Sequence, residues 1–117
     1  MKLNKSNIYD YINGNTLNCI NRDITSIEDI PDHITHLYCQ FNKLVWLPKL
    51  PDGLIHLYCQ YNQLTQLPKL PDGLIGLYCN YNQLTSYPPT YNDKQWRIQH
   101  NKWLNRINII DKINETK

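Results

Sequence analysis

LYCQFNKLVWLPKLPDGLIH (residues 37–56) runs without a gap into LYCQYNQLTQLPKLPDGLIG (57–76), and the two stretches differ at only five positions. A fixed period of this length is the signature of one structural unit stacked on its own copy. The shared pattern is L-x-C-x-x-N-x-L-x-x-L-P-x-L-P-D-G-L-x-x. Working outward, an earlier copy opens at Leu17-Asn18-Cys19 and continues through Ile24, Ile27, Ile30-Pro31-Asp32 and Ile34. A later copy opens at Leu77-Tyr78-Cys79, keeps Asn82 and Leu84, and drifts at Tyr87-Pro88-Pro89. With one residue deleted there, Trp96, Ile98, Asn101 and Trp103 fall on the Leu, Cys, Asn and Leu slots of a partial fifth copy. The expected division is an N-terminal cap over 1–16, four repeats over 17–36, 37–56, 57–76 and 77–95, a partial repeat over 96–103, and a C-terminal cap over 104–117.

A chain of 117 residues is one domain, with no room beside the repeats for a separate catalytic module. Each repeat offers about six apolar side chains worth roughly 1.5–3 kcal/mol apiece on burial. Ordering its residues costs on the order of 1–2 kcal/mol each, so a single repeat is unfolded and stability must come from stacking. The net charge of +2 is spread along the chain, which lacks the electrostatic footprint of a nucleic-acid binder. No apolar run approaches bilayer length, and Met1-Lys2 opens no signal-peptide core. A soluble, cytoplasmic protein is the expectation. Asn, Ile, Tyr and Lys are abundant and Ala is absent, a bias typical of an AT-rich genome.

Within a regular repeat, a stretch such as His56-Leu57-Tyr58-Cys59-Gln60 reads as a short strand. Alternation sends Leu57 and Cys59 into the stack and His56, Tyr58 and Gln60 outward. Parallel strands about 4.8 Å apart turn each slot into a column. The outward columns are His36, His56 and Gly76; Tyr38, Tyr58 and Tyr78; and Gln40, Gln60 and Asn80, with Phe41, Tyr61 and Tyr81 at the strand ends. Asn42, Asn62, Asn82 and Asn101 follow the strands, where an amide satisfies backbone groups as the chain turns away. In the first copy Asn21 sits one place early and Arg22 takes the Asn slot, which predicts either a rebuilt turn or a copy that is partly cap.

The return leg, LPKLP at 47–51 and 67–71, carries prolines that forbid a helix interior and favour extended, polyproline-like backbone. Pro51-Asp52-Gly53 and Pro71-Asp72-Gly73 then read as turns in which Pro sets φ, Asp accepts a local hydrogen bond and Gly takes positive φ. A short helix is expected over 6–14, with Ser6 as N-cap and Gly14 ending it in the left-handed region. Leu104, Ile107, Ile109 or Ile110, and Ile113 are spaced for an amphipathic helix over the last strand, or for one that docks on a partner.

Cys19, Cys39, Cys59 and Cys79 recur every twenty residues. Zinc needs converging ligands, commonly in close pairs, whereas these thiols form a line inside an apolar stack and read as reduced core filler. His36 and Cys39 face opposite sides of one strand, as do His56 and Cys59, so neither makes a nucleophile–base pair. Asp32, Asp52 and Asp72 form a column at the turns, where each shapes its own turn or, less simply, a calcium ion lies between repeats. No metal, cofactor or catalytic residue is expected.

The outward aromatics carry the functional reading. Six aromatic side chains on a surface that needs none for packing, interleaved with amides and two histidines, suit a protein- or peptide-binding face. The plainer account is that Tyr favours strands and stacks across them. Trp46 stands where Gln66 and Ser86 stand later, which puts it on a flank as a binding hot spot or as packing for the N-terminal cap. Two other functions remain open, a structural or self-assembling module and a carbohydrate-binding one.

LPKLPDGLIHLYCQYNQLTQLPKLPDGL (47–74) resembles the twenty-residue leucine-rich repeats of secreted bacterial effectors, and is similar to repeats in proteins of giant DNA viruses. The resemblance spans 17–103. It implies a leucine-rich-repeat solenoid with parallel β-strands on the concave face and extended segments on the convex face, to which the residues outside the repeats add the expectation of short helical caps at both ends. It also implies protein binding, with a host protein as one possible partner. Cys stands here where the family pattern has Val, and Arg22 where it has Asn. The large catalytic domain that follows the repeats in the ubiquitin-ligase members has no counterpart in this sequence.

Overall fold

The computed structural model describes residues 1–84, that is the N-terminal segment, three complete copies of the repeat and the opening of the fourth. The drift at 87–89, the partial copy over 96–103 and the helix expected over 104–117 lie outside the described residues. Among the described residues there are seven short strands: β1 (Lys2–Leu3), β2 (Ile12–Asn13), β3 (Thr16–Asn18), β4 (Ser26–Ile27), β5 (His36–Tyr38), β6 (His56–Tyr58) and β7 (Gly76–Tyr78).

The twenty-residue period becomes the register of a sheet. Strands β3, β5, β6 and β7 pair in parallel in chain order, with Leu17, Leu37, Leu57 and Leu77 opposite one another. Pairing continues past each strand, where the amides of Cys19, Cys39 and Cys59 donate to the Tyr38, Tyr58 and Tyr78 carbonyls at 2.8 Å. Two further rows of backbone bonds tie each copy to the next. Ile55 and Ile75 donate to Thr35 and Ile55, and Lys43, Gln63 and Gln83 donate to Ile24, Leu44 and Leu64. Because neighbouring copies satisfy one another's backbone in this way, the polar cost of burying such short strands is met without long ladders.

The core follows the pattern slot by slot. Leu17, Leu37 and Leu57 and Cys19, Cys39 and Cys59 are fully buried, as are Leu44, Leu64, Leu54 and, in the first copy, Ile24, Ile27 and Ile34. Residues 46–50 and 66–70 form neither helix nor strand, in keeping with their prolines.

The N-terminal segment departs from the expected helix. Only a single 3-10 turn forms, Ile8–Tyr11, preceded by Asn7 with no side-chain cap, while the Ser6 amide donates to Asn4 Oδ1. The cap is made instead of strands on two sides. β2 pairs antiparallel with β3, through a turn in which Gly14 does take positive φ (62°). β1 pairs in parallel with β4 on the return side and carries Leu3 into the core. A strand is the better cover because the first copy exposes unpaired backbone groups, which a neighbouring strand satisfies directly and a helix does not.

The turns depart too. The Leu54 and Leu74 amides donate to the Pro51 and Pro71 carbonyls, so proline is the first residue of the turn and Asp and Gly are its centre. Positive φ at a described glycine occurs only at Gly14, so Gly53 and Gly73 do not use the left-handed region. His33 stands in the Gly slot of the first copy, where the Ile34 amide closes the same bond to Pro31. A turn that accepts His there has no need of a left-handed residue.

Candidate functional site: the aromatic strand face

The alternation of the strands places Tyr38, Tyr58 and Tyr78 half-buried on the face opposite the core. Their rings stack, with centroids 4.7 Å apart between Tyr38 and Tyr58 and 4.6 Å between Tyr58 and Tyr78. A second stack joins Phe41 to Tyr61 at 4.5 Å and Tyr61 to Tyr81 at 4.4 Å, with interplanar angles of 9° and 10°. The Tyr61 phenol is pushed above its ordinary pKa by desolvation and then by the Tyr81 phenol beside it. In both stacks each ring covers the face of the next, so the rims are what a ligand meets along the column. Gln40, Gln60 and Asn80 lie between the two stacks in register and are half-buried. The two glutamines bury Oε1 without a hydrogen-bond partner.

The second stack stands on strained backbone. Phe41, Tyr61 and Tyr81 have φ of 60°, 57° and 57°, a region that bulky L residues rarely occupy. Each such residue costs about 1–2 kcal/mol relative to right-handed backbone. The first copy meets the same requirement with Asn21 at φ 53°, a residue whose side chain tolerates it. Asn21 therefore does not sit early. It occupies the slot of Phe41, and its amide donates to Gln40 as that of Phe41 donates to Gln60. The first-copy turn is altered two residues later, where Asp23 also takes positive φ (55°) and its carbonyl accepts the Met1 ammonium at 2.8 Å.

The asparagines hold this geometry. Asn42 Oδ1 accepts the amides of Arg22 and Ile24 at 3.0 Å, and its Nδ2 donates to the carbonyls of Cys19, Cys39 and Gln40. Asn62 and Asn82 repeat the arrangement on Leu44 and Leu64. Each asparagine thus closes the turn of the copy before it. The first copy has no predecessor, which explains Arg22: its guanidinium lies 5.9 Å from the Tyr11 ring centroid, over the cap.

His36 and His56 face each other across the strands with centroids 5.1 Å apart, and His36 Nδ1 shares a 2.9 Å hydrogen bond with Thr35 Oγ1. The His56 ring lies over Gly76, where an added Cβ would meet Nδ1. Trp46 lies on the return leg rather than the strand face and is 48% exposed beside Val45, also 48% exposed.

All four cysteines are free and buried behind this face. Burial pushes the Cys19 and Cys79 thiols up to about 12 and those of Cys39 and Cys59 well above their ordinary value. They are held as neutral thiols, poor nucleophiles and poor metal ligands. Among the described residues no three His, Cys, Asp or Glu side chains are placed to share a metal ion, and no helix is long and apolar enough to cross a membrane. Asp52 and Asp72 are exposed at their turns.

Sequence reasoning found every member of the two stacks but missed their backbone strain, for which Asn21 in the same slot was the available signal. The chain matches no protein-family model, and no curated protein matches it significantly.

Proposed function

We propose that the chain is a leucine-rich-repeat solenoid, divided as its repeats are, that binds a protein or peptide through the strand face and performs no catalysis. The binding surface is made of Tyr38, Tyr58, Tyr78, Phe41, Tyr61 and Tyr81, with Gln40, Gln60, Asn80, His36 and His56 between and beside them. The observation that carries this reading is the aromatic stack on positive-φ backbone. Phe41 and Tyr61 are 49% and 42% exposed in a conformation that asparagine or glycine would hold at lower cost. Folding alone does not call for aromatic residues there, and strain retained at exposed positions is characteristic of binding surfaces. Trp46 and Val45 form a separate apolar spot at the margin. Four unoxidised thiols suit a cytosolic setting.

The test compares wild type with a Phe41→Asn/Tyr61→Asn/Tyr81→Asn variant whose circular dichroism matches it, each used to capture proteins from a host-cell lysate. Proteins retained by wild type and lost by the variant support the reading. Identical capture by both removes the face from consideration and leaves self-assembly, measured by light scattering, as the alternative. Carbohydrate binding is less favoured, because sugars pack on aromatic faces and these faces lie against one another.

A further inference from the structure

We infer that Tyr61 and Tyr81 form a modification site, at which one-electron oxidation by a haem peroxidase and hydrogen peroxide joins the two rings as a dityrosine cross-link between the third and fourth copies. Three features select this pair, and none depends on the face binding a partner.

The first is the relation of the two rings. Their centroids lie 4.4 Å apart and their planes differ by 10°. The two phenols are also hydrogen-bonded to each other, so the hydroxyl ends of the stacked rings point the same way. The carbons ortho to each oxygen, where a phenoxyl radical carries much of its unpaired spin, therefore stand beside one another. Holding two reactants in such a relation turns a bimolecular encounter into a unimolecular step. In sequence the two tyrosines belong to different copies, so the stacking of the copies is what makes them neighbours.

The second is access. Tyr61 is 42% exposed and Tyr81 is half-buried at the strand ends. Cys19, Cys39, Cys59 and Cys79, the groups that would most readily quench a tyrosyl radical, are buried. An oxidant arriving from solvent meets phenol before thiol, and a thiol shut away from solvent is unreactive.

The third is the composition of the column. Phe41 stacks on the side of Tyr61 away from Tyr81, at 4.5 Å with planes 9° apart, but has no hydroxyl to lose. Among the described residues, coupling in this column is therefore confined to one pair.

Each phenol gives up one electron and one proton to become a phenoxyl radical, and the peroxide takes up both electrons and both protons as two molecules of water. The radicals pair their electrons in a new carbon–carbon bond between ortho positions. The hydrogens displaced there move to the oxygens and restore both phenols. The chain is left two hydrogen atoms lighter, with residues 61–81 closed into a loop that constrains the unfolded chain as a disulfide does.

The experiment treats the full chain, in dilute solution, with hydrogen peroxide and a haem peroxidase. Dityrosine is read by its fluorescence in the monomer band of a denaturing gel. Parallel reactions use Tyr61→Phe, Tyr81→Phe and Tyr58→Phe variants, and wild type in urea. Phenylalanine already occupies this slot at Phe41, with φ of 60°, and circular dichroism establishes that each variant is folded. The expected product is a within-chain link, found in tryptic digests as residues 50–69 joined to 70–94. It should survive Tyr58→Phe and fall at least about tenfold in the other two variants and in urea, where the rings are no longer held together. A link that survives Tyr61→Phe or Tyr81→Phe, or one lost in Tyr58→Phe, overturns the inference. Equal yield in urea, products linked only between chains, or no dityrosine at all overturns it as well.

Discussion

Asn62 completes a turn to which it does not belong, its Oδ1 accepting the amide of Leu44 at 3.0 Å across eighteen residues of chain. Its Nδ2 meanwhile donates to Cys39 in the preceding copy and to Cys59 in its own, at 3.0 and 3.1 Å. One buried side chain therefore joins two copies through both of its polar atoms. The stack is held by such joints as well as by its leucines.

Asn62→Ala should destabilise the domain by about 2–4 kcal/mol, since each buried group left unpaired costs about 1–3 kcal/mol. Arg22→Asn, at the equivalent slot with no preceding copy to serve, should change stability by less than about 0.5 kcal/mol. Urea unfolding of the two variants checks the contrast. Equal effects would mean that the asparagine serves its own turn alone.

Replacing Tyr61 separates strain from stacking. Tyr61→Ala and Tyr61→Gly lose the same stack, but glycine accepts φ 57° and alanine does not. The glycine variant should be the more stable by about 1 kcal/mol, a reversal of the usual order that chemical denaturation would reveal.

The same logic distinguishes the glycines. Gly53→Ala meets open space at ordinary φ and should be neutral or stabilising by about 0.4–1 kcal/mol. Gly14→Ala, at φ 62°, should lose about 1 kcal/mol or more. Thermal midpoints of both variants are sufficient to test this.

Gly76→Ala brings a methyl group against the half-buried His56 ring, which must turn aside, and should cost about 0.5–1.5 kcal/mol. In a His56→Ala background the same change should be almost without effect. A double-mutant cycle that shows no coupling would mean that the glycine answers to the backbone and not to the ring.

The buried thiols predict an alkaline limit. Unfolded cysteines lose their protons near their ordinary pKa of 9.0, whereas Cys19 and Cys79 in the folded chain hold theirs to about 12. Over that interval the unfolded state binds fewer protons, so stability, fully present below pH 9, falls as pH rises. Replacing all four cysteines with valine should flatten the decline in urea midpoints measured from pH 8 to 11. An unchanged slope would assign it to other groups.

The sequence by itself determined the period, the inward leucines and cysteines, and the columns of tyrosine, amide and histidine. These depend only on strand alternation and on an exact twenty-residue repeat, which local pattern records. Tertiary structure alone decided which copy each asparagine serves, because its partners lie up to twenty-three residues away and their identity depends on how the copies stack. It also decided that Phe41, Tyr61 and Tyr81 stand on positive-φ backbone, contrary to their own preference, with the Phe41 and Tyr61 amides paired to the next copy. The N-terminal cap became strands for a related reason. Ser6 and Gly14 carry helix-boundary signals, but the unpaired edges of the first copy offered Lys2–Leu3 and Ile12–Asn13 hydrogen bonds that an isolated short helix could not match.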